Sequence, residues 1–239
     1  MPVVVVSPND RYGIVGKTGS GKTKFAIVLA AYFARSLPAP WEVHWIDTKN
    51  DPEDLRTLRQ WGFRNIASQR DRQTSVLQNA LYWYVEGSDE MYDEATVHQV
   101  QEICRRCYLQ RYCVVCIDEY TQAVISKQNP GPALKDIFTR GRGRNVGIIG
   151  LTQEPVYVPR QLLSQATHQI LFTVSYDYDV EYQRKIDKVY QPPGKLGDPY
   201  GFWWRWVDGQ TETTYYPNQQ EWFNQFEIAV PRPLEAANG

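Results

Sequence analysis

The chain has 239 residues, of which 42% are hydrophobic and 22% charged, with a formal net charge of −1. That length supports one large α/β domain, and the charge excludes a globally basic nucleic-acid binder, so any contact with DNA must come from a local patch or from several subunits around the polymer. No apolar window approaches the roughly 20 residues that cross a bilayer, and the start, MPVVVVSPNDR, lacks a charged n-region, so a soluble protein is expected.

Strand and helix signals alternate from the N-terminal end. RYGIVG (11–16) reads as a short buried strand, and KTKFAIVLAAYFARSL (22–37) as a helix rich in good helix formers. WEVHWIDTKND (41–51) is a second strand ending in charge. QTSVLQNALYWYVEG (73–87) and YDEATVHQVQEICRRCYLQR (92–111) both carry helical apolar spacing. Three short, nearly continuous apolar runs follow, CVVCID (113–118), NVGIIGLT (145–152) and THQILFTV (167–174), as expected of parallel strands covered on both faces. The alternation predicts a mostly parallel sheet with right-handed crossovers, flanked by helices. The end differs: GFWWRWVDGQTETTYY (201–216) is two alternating runs around Asp208-Gly209, which predicts a β-hairpin. Its aromatic residues fit core packing, subunit contact or stacking on a base. Residues 1–239 are expected to form a single domain, with a core at about 11–175 and the hairpin and tail at about 176–239.

The strongest signal is GKTGSGKT, comprising Gly16, Lys17, Thr18, Gly19, Ser20, Gly21, Lys22 and Thr23, placed between a predicted strand and a predicted helix. Its glycines let successive N–H groups turn inward around phosphate oxygens, and the helix N-terminus adds partial positive charge. Lys22 is placed to reach the β- and γ-phosphates, and the Thr23 hydroxyl to ligate Mg²⁺. CVVCIDE supplies the carboxylates: Asp118 for the metal's shell and Glu119 to orient and deprotonate the attacking water. ATP with Mg²⁺ is therefore the expected ligand, and two acidic residues at a strand end favour hydrolysis over transfer to a metabolite.

Four cysteines raise a competing reading, because Cys104/Cys107 and Cys113/Cys116 are both Cys-x-x-Cys pairs. Four-cysteine zinc modules usually separate their pairs by roughly a dozen residues or more. Only five residues lie between Cys107 and Cys113. If 113–118 is a strand, Cys113 and Cys116 point to opposite faces of the sheet. All four then read as small buried or half-buried thiols.

IDTKND (46–51) and FTRGRGRNVGIIGLTQEP (138–155) complete a set that resembles the FtsK/HerA superfamily of DNA-translocating ATPases. The order of P-loop, IDEY and GRGRN…LTQ is most similar to the genome-packaging ATPases of tail-less, internal-membrane-containing double-stranded DNA viruses. The likeness covers roughly residues 11–174. It implies a RecA-like P-loop fold with Walker A at Gly16–Thr23, a Walker B Asp118 and a catalytic Glu119. It also implies a γ-phosphate sensor at Gln153 and an arginine entering the neighbouring subunit's site, best matched by Arg142, with Arg140 and Arg144 as rivals. The family's D-P-K after the second strand reads Asp47-Thr48-Lys49 here. The implied partners are double-stranded DNA, further copies in a homo-oligomeric ring, and a viral capsid or vertex protein, in the host cytoplasm or at the virion vertex. TQAVISKQNPGPALK (121–135) reads as a loop whose Lys127 and Lys135 face a central pore. A filamentous-phage-type assembly ATPase, a nucleotide-gated scaffold and a simple P-loop kinase are the rival readings. The first normally carries a membrane-spanning helix, and a kinase carries a substrate lid that this chain does not display.

Overall fold

The computed structural model describes residues 4–66, 79–85, 92–174, 176–186, 201–206, 212–216 and 226–228. Its centre is the strand β2 (Arg11–Val15), which leads through the glycine loop into α1 (Lys22–Ser36). Nearly every residue of α1 from Phe25 to Ala34 is buried, so the helix lies on the sheet along its whole length. Covering a Phe25- or Phe33-sized side chain in this way contributes about 1.5–3 kcal/mol each.

Next come β3 (Glu42–Asp47) and α2 (Pro52–Gln60). The start of α2 is set locally. The Asp51 carboxylate accepts the Glu53 N–H at 2.8 Å, Pro52 occupies the first turn, and Glu53 and Asp54 lie at the positive end of the helix dipole. Two parallel strands, β4 (Arg64–Asn65) and β5 (Ala80–Tyr84), extend the sheet beyond β3. The helix expected over 73–87 is therefore overturned at Ala80–Tyr84, and the rest of that stretch falls mostly outside the described residues. ALYWY is a short apolar, aromatic run whose spacing suits either element; pairing with the open edge of β3 decides it.

Helix α3 (Glu94–Gln110) begins at an Asp93 cap, whose carboxylate accepts the Thr96 N–H at 2.8 Å. It ends at Arg111 and Tyr112, both with positive φ, which turn the chain into β6 (Cys113–Ile117). After a 3-10 turn at Tyr120–Gln122 come α4 (Pro132–Arg140), a second 3-10 turn at Arg142–Arg144, and β7 (Val146–Thr152), buried throughout. Lys135 thus lies on a helix, not in the loop expected over 121–135. The short α5 (Gln161–Ser164), β8 (His168–Phe172) and α6 (Asp177–Ile186) follow.

The sheet order is β10-β9-β8-β2-β7-β6-β3-β5-β4, where β9 is Phe202–Trp206 and β10 is Glu212–Tyr216. Every pairing from β8 to β4 is parallel. β9 is antiparallel to both β8 and β10, so the expected hairpin strands are present as an extension of the main sheet. The turn at Asp208-Gly209 lies outside the described residues. Phe202 and Trp204 are buried against Phe25 of α1, at ring separations of 4.9 and 5.6 Å, which makes this part of the aromatic segment core packing. A separate parallel pair joins β1 (Val4–Val6) to β11 (Phe226–Ile228). Two apolar layers sandwich the sheet, one under α1 and the other under α3 and α4. The architecture is the expected α/β one, with β2 flanked by β7 and β8, and the glycine loop opens where the parallel strands end.

Candidate nucleotide-binding site

The stem of the glycine loop is pinned to its neighbours. Gly16 N–H donates to Thr152 O at 3.1 Å, and Lys17 N–H to Thr173 O at 2.8 Å, tying the loop to the ends of β7 and β8. A side chain at Gly16 is excluded, since a Cβ there would lie 2.6 Å from both Phe172 Cβ and Ser20 Oγ. Gly19 sits at φ +75 and a Cβ on it would meet nothing within 4 Å, so this backbone faces open space. That space is a cavity of 550 Å³ whose walls include Thr18, Lys22, Thr23, Lys49, Asp54 and Gln153.

Four strand ends deliver the polar groups. From β2 and α1 come Lys22 and Thr23, with Thr23 Oγ1 3.5 Å from Asp118 Oδ1. From β6 come Asp118 and Glu119, both buried. The Thr121 hydroxyl donates to Glu119 Oε1 at 3.0 Å and fixes that carboxylate. From β7 comes Gln153, whose Oε1 accepts from the Thr18 hydroxyl at 2.6 Å. From β3 comes Lys49, whose Nζ lies 3.5 Å from Asp118 Oδ1, 3.5 Å from Glu119 Oε2 and 3.4 Å from Asp118 O. The last contact is the one least visible in the sequence, where Lys49 is the lysine of a D-T-K after a strand, with nothing to say what it touches.

The charges crowd one another. Burial, helped by the nearby Lys49, brings the Lys22 ammonium down to about 8, against the pull of Glu119 and Asp118. Burial together with Asp118 and Asp51 pushes the Asp54 carboxyl up to about 7, and burial pushes Asp47 up to about 6. Asp118 is likewise raised, chiefly by burial and against the pull of Lys49. Lys49 itself is raised, because Asp118, Glu119 and Asp54 together outweigh its burial. Asp54 joins the site without a motif to announce it, its clue being the acidic NDPED turn that opens α2, whereas Asp47 opens the D-T-K that stands where the resembled family has D-P-K.

Several buried polar atoms at this edge have no hydrogen-bond partner: Ser20 Oγ, Asp47 Oδ2, Thr48 Oγ1 and Asp118 Oδ2. Such atoms are costly to leave bare and mark where a ligand's polar groups go. The residues fit a nucleoside triphosphate with a hard divalent cation. The loop N–H groups and Lys22 suit phosphate oxygens, and the Thr23 hydroxyl and Asp118 carboxylate are oxygen donors of the kind Mg²⁺ takes.

Of the predicted residues, Lys22, Thr23, Asp118, Glu119 and Gln153 are brought together, with the rest of the glycine loop around them. Arg142 is not. It lies before β7 and reaches Asp10, at 3.8 Å, at the opposite edge of the sheet. The seven residues of β7 put it about 20 Å or more from its own chain's site. Arg140 faces Asp136 at 3.8 Å, and Arg144 stacks over Tyr108 at 4.6 Å while its Nε–H donates to Tyr108 O. Lys127 lies 5.6 Å over the ring of Tyr157.

The cysteines behave as expected. All four are buried and free, with Cys113 in the layer under α3 and Cys116 in the layer under α1. Ligand atoms of His44, Cys107 and Cys113 do come within 4.8 Å of one another. Their hydrogens argue against a metal. Trp83 Nε1–H donates to His44 Nδ1 at 3.0 Å, so the proton of the neutral ring sits on Nε2, 3.1 Å from Glu42. The Cys113 thiol donates to Arg111 O at 3.1 Å. Ligation by Nε2 would leave a proton on Nδ1 facing the Trp83 N–H, the reverse of what a ligating histidine needs.

A glycine loop between a central strand and a helix, opposite an acidic strand end, defines a P-loop NTPase fold. Among solved structures the chain is similar to the genome packaging NTPase B204 from Sulfolobus turreted icosahedral virus 2. In complex with AMP, B204 is 20% identical, with 89% of this chain and 100% of that one covered and a TM-score of 0.62. In complex with AMPPCP it is 19% identical, with 88% and 98% covered and a TM-score of 0.60. EssC (ATPases 2 and 3) from Geobacillus thermodenitrificans is 15% identical, with 90% of this chain and 42% of that one covered and a TM-score of 0.52. No protein-family model and no curated protein matches the sequence. The fold is thus the one the motifs imply, shared with a viral genome packaging NTPase and with the ATPases of EssC. Among the described residues no helix is long and apolar enough to cross a membrane.

Proposed function

We propose that this chain, acting over residues 1–239 as one P-loop ATPase domain, hydrolyses ATP to translocate double-stranded DNA, packaging a viral genome into a preformed capsid. One observation carries the reading: Lys22, Thr23, Asp118, Glu119 and Gln153, from three separate segments, meet at the glycine loop, around a cavity lined by three of them. A binder alone needs the loop and the lysine; a hydrolase also needs a held carboxylate and a polar sensor beside them.

Lys22 binds the β- and γ-phosphates. Thr23 and Asp118 would hold Mg²⁺, which when bound neutralises phosphate charge. Glu119, kept in place by Thr121, takes a proton from the attacking water. Gln153, released from Thr18, senses the γ-phosphate. Arg142 acts on a neighbouring copy's site, so turnover depends on a homo-oligomeric ring around the DNA. A capsid or vertex protein docks that ring, in the host cytoplasm or at the virion vertex. The likeness to B204, the DNA-packaging ATPase from Sulfolobus turreted icosahedral virus, across 88% of the chain supports the choice of DNA as the polymer.

The test is ATP hydrolysis with and without double-stranded DNA, for the wild type and Glu119→Gln, together with native mass. A ring stimulated by DNA, with turnover falling about 10²–10⁴-fold in Glu119→Gln while nucleotide still binds, is the expected result. A monomer indifferent to DNA, or an undiminished Glu119→Gln, would overturn the proposal.

A further inference from the structure

Lys49 stands where a cation is needed. Its Nζ bridges Asp118 Oδ1 and Glu119 Oε2 at 3.5 Å each, and it is 22% exposed while Asp118 is 1% exposed. Thr23 Oγ1, the other expected metal donor, is 3.5 Å from the same Asp118 oxygen. The lysine, the hydroxyl and the carboxylates therefore converge on one small volume.

The backbone that carries Lys49 is anchored. Asp47 Oδ1 accepts the N–H of Lys49 at 3.2 Å and the N–H of Asn50 at 2.9 Å, closing a tight turn at the end of β3. The anchoring confines movement to the side chain, whose long stem reaches the cavity that Lys22 and Gln153 also line. The Asp47, Asp54, Asp118 and Glu119 carboxylates share this edge with the Lys22 and Lys49 ammonium groups. Without Lys49 the two buried carboxylates of β6 would face each other across a site short of one positive charge, an expensive arrangement.

We infer that Lys49 is the site's resident counterion: in the nucleotide-free protein it occupies the divalent cation's place and clamps Glu119, and arrival of the metal–nucleotide complex displaces it. This deepens the proposed function and rests on it for the identity of the incoming ligand. Displacement frees Glu119 Oε2 to face water only when the metal is in place, so the base is withheld until the site is filled. The vacated ammonium remains within the cavity, where phosphate oxygens are its natural next partners. Lys49 is thereby a positioning residue, acting through Asp118 and Glu119.

The test uses Mn²⁺ as a paramagnetic probe on the full, nucleotide-free chain, with bound and free ion separated by spectroscopy. Lys49→Met should bind Mn²⁺ about tenfold to a thousandfold more tightly than the wild type, the range over which one charge at this distance alters occupancy of a carboxylate. Adding Asp118→Asn to Lys49→Met should return binding to the wild-type level, which places the ion. If Lys49→Met does not fold alone, refolding in Mn²⁺ should recover the native far-UV spectrum, and failure to do so overturns the inference. Equal Mn²⁺ affinity in wild type and folded Lys49→Met also overturns it, and leaves the proposed function intact if the wild type still hydrolyses ATP with DNA. Conversely, a wild type that binds no nucleotide sinks the proposed function, while tightened Mn²⁺ binding in Lys49→Met would leave the counterion role standing.

Discussion

Replacing Asp54 by asparagine removes a carboxyl group that the fold holds near neutrality of charge only at acid pH. In the native state it titrates at about 7, against an ordinary 3.8, because burial and the neighbouring Asp118 and Asp51 disfavour its charge. The folded protein therefore holds a proton that the unfolded chain has lost, and the stabilisation this confers is complete below pH 3.8 and vanishes as pH rises through 7. Fully expressed, the difference is about 4 kcal/mol; because the side chain is only half-buried, solvent screening reduces it to about 1–2 kcal/mol. Asp54→Asn should thus be more stable than the wild type at pH 8, with a melting temperature about 2–8 °C higher. The favourable charge at the start of α2 is lost as well, which takes back about 0.3–1 kcal/mol and lowers the expected rise to at most about 7 °C. The assay is urea unfolding of both proteins from pH 4 to pH 8 without nucleotide. The two stability curves should diverge as pH rises. Parallel curves, or a gap that narrows with pH, would refute the crowding of Asp54 against Asp118.

Two further outcomes check the fold and the assembly. Trp204→Ala should cost about 3–5 kcal/mol in urea denaturation, because Trp204 is buried beside Phe25 and His168, and an unmoved midpoint would detach β9 from the core. Arg142→Ala should leave nucleotide affinity unchanged at concentrations where the protein is monomeric, yet lower turnover of the assembled form by about 10³–10⁵. Equal turnover per subunit in dilute wild-type monomer and in the assembly would remove Arg142 from the reaction.

What could be read from the residues, and what could not, divides along physical lines. The strands β2, β3, β6, β7 and β8 were legible because each is a short apolar run ending in a polar or glycine signal, and α1 and α3 because their apolar spacing is long. Ala80–Tyr84 misled because five apolar residues cannot distinguish a helix turn from a strand, and the deciding term is a pairing with β3 some forty residues away. The caps of α2 and α3 at Asp51 and Asp93 were present in the sequence, yet α2 went unread, since its nine residues bury only Leu58 and leave almost no apolar stripe. The loop, Asp118 and Glu119 were legible because each follows a buried strand, whereas Gln153 was implied only by the family resemblance. The placement of Lys49 was not legible, because a salt bridge across two strand ends has no local pattern.

The direction of the sheet adds a constraint on assembly. All seven strands from β8 to β4 run parallel, so the chain has a C-terminal edge that holds the nucleotide site and an opposite edge that holds Arg142, Asp10 and Arg11. A side chain about 20 Å or more away cannot serve its own site, so the proposed role for Arg142 requires that one copy's Arg142 edge approach another copy's nucleotide edge. Two different edges then meet at each contact, and where that contact repeats head to tail from copy to copy the interface is heterologous. Such interfaces either close into a ring or run on as a filament; in a twofold dimer each Arg142 reaches the other site only where the two sheets pack antiparallel, so that residue i meets j and j meets i, and a dimer that pairs nucleotide edge with nucleotide edge strands both arginines on the outside. A stable dimer that pairs nucleotide edge with nucleotide edge and keeps full turnover is therefore incompatible with Arg142 as the group acting in trans, whereas a closed ring gives every site one arginine and every arginine one site.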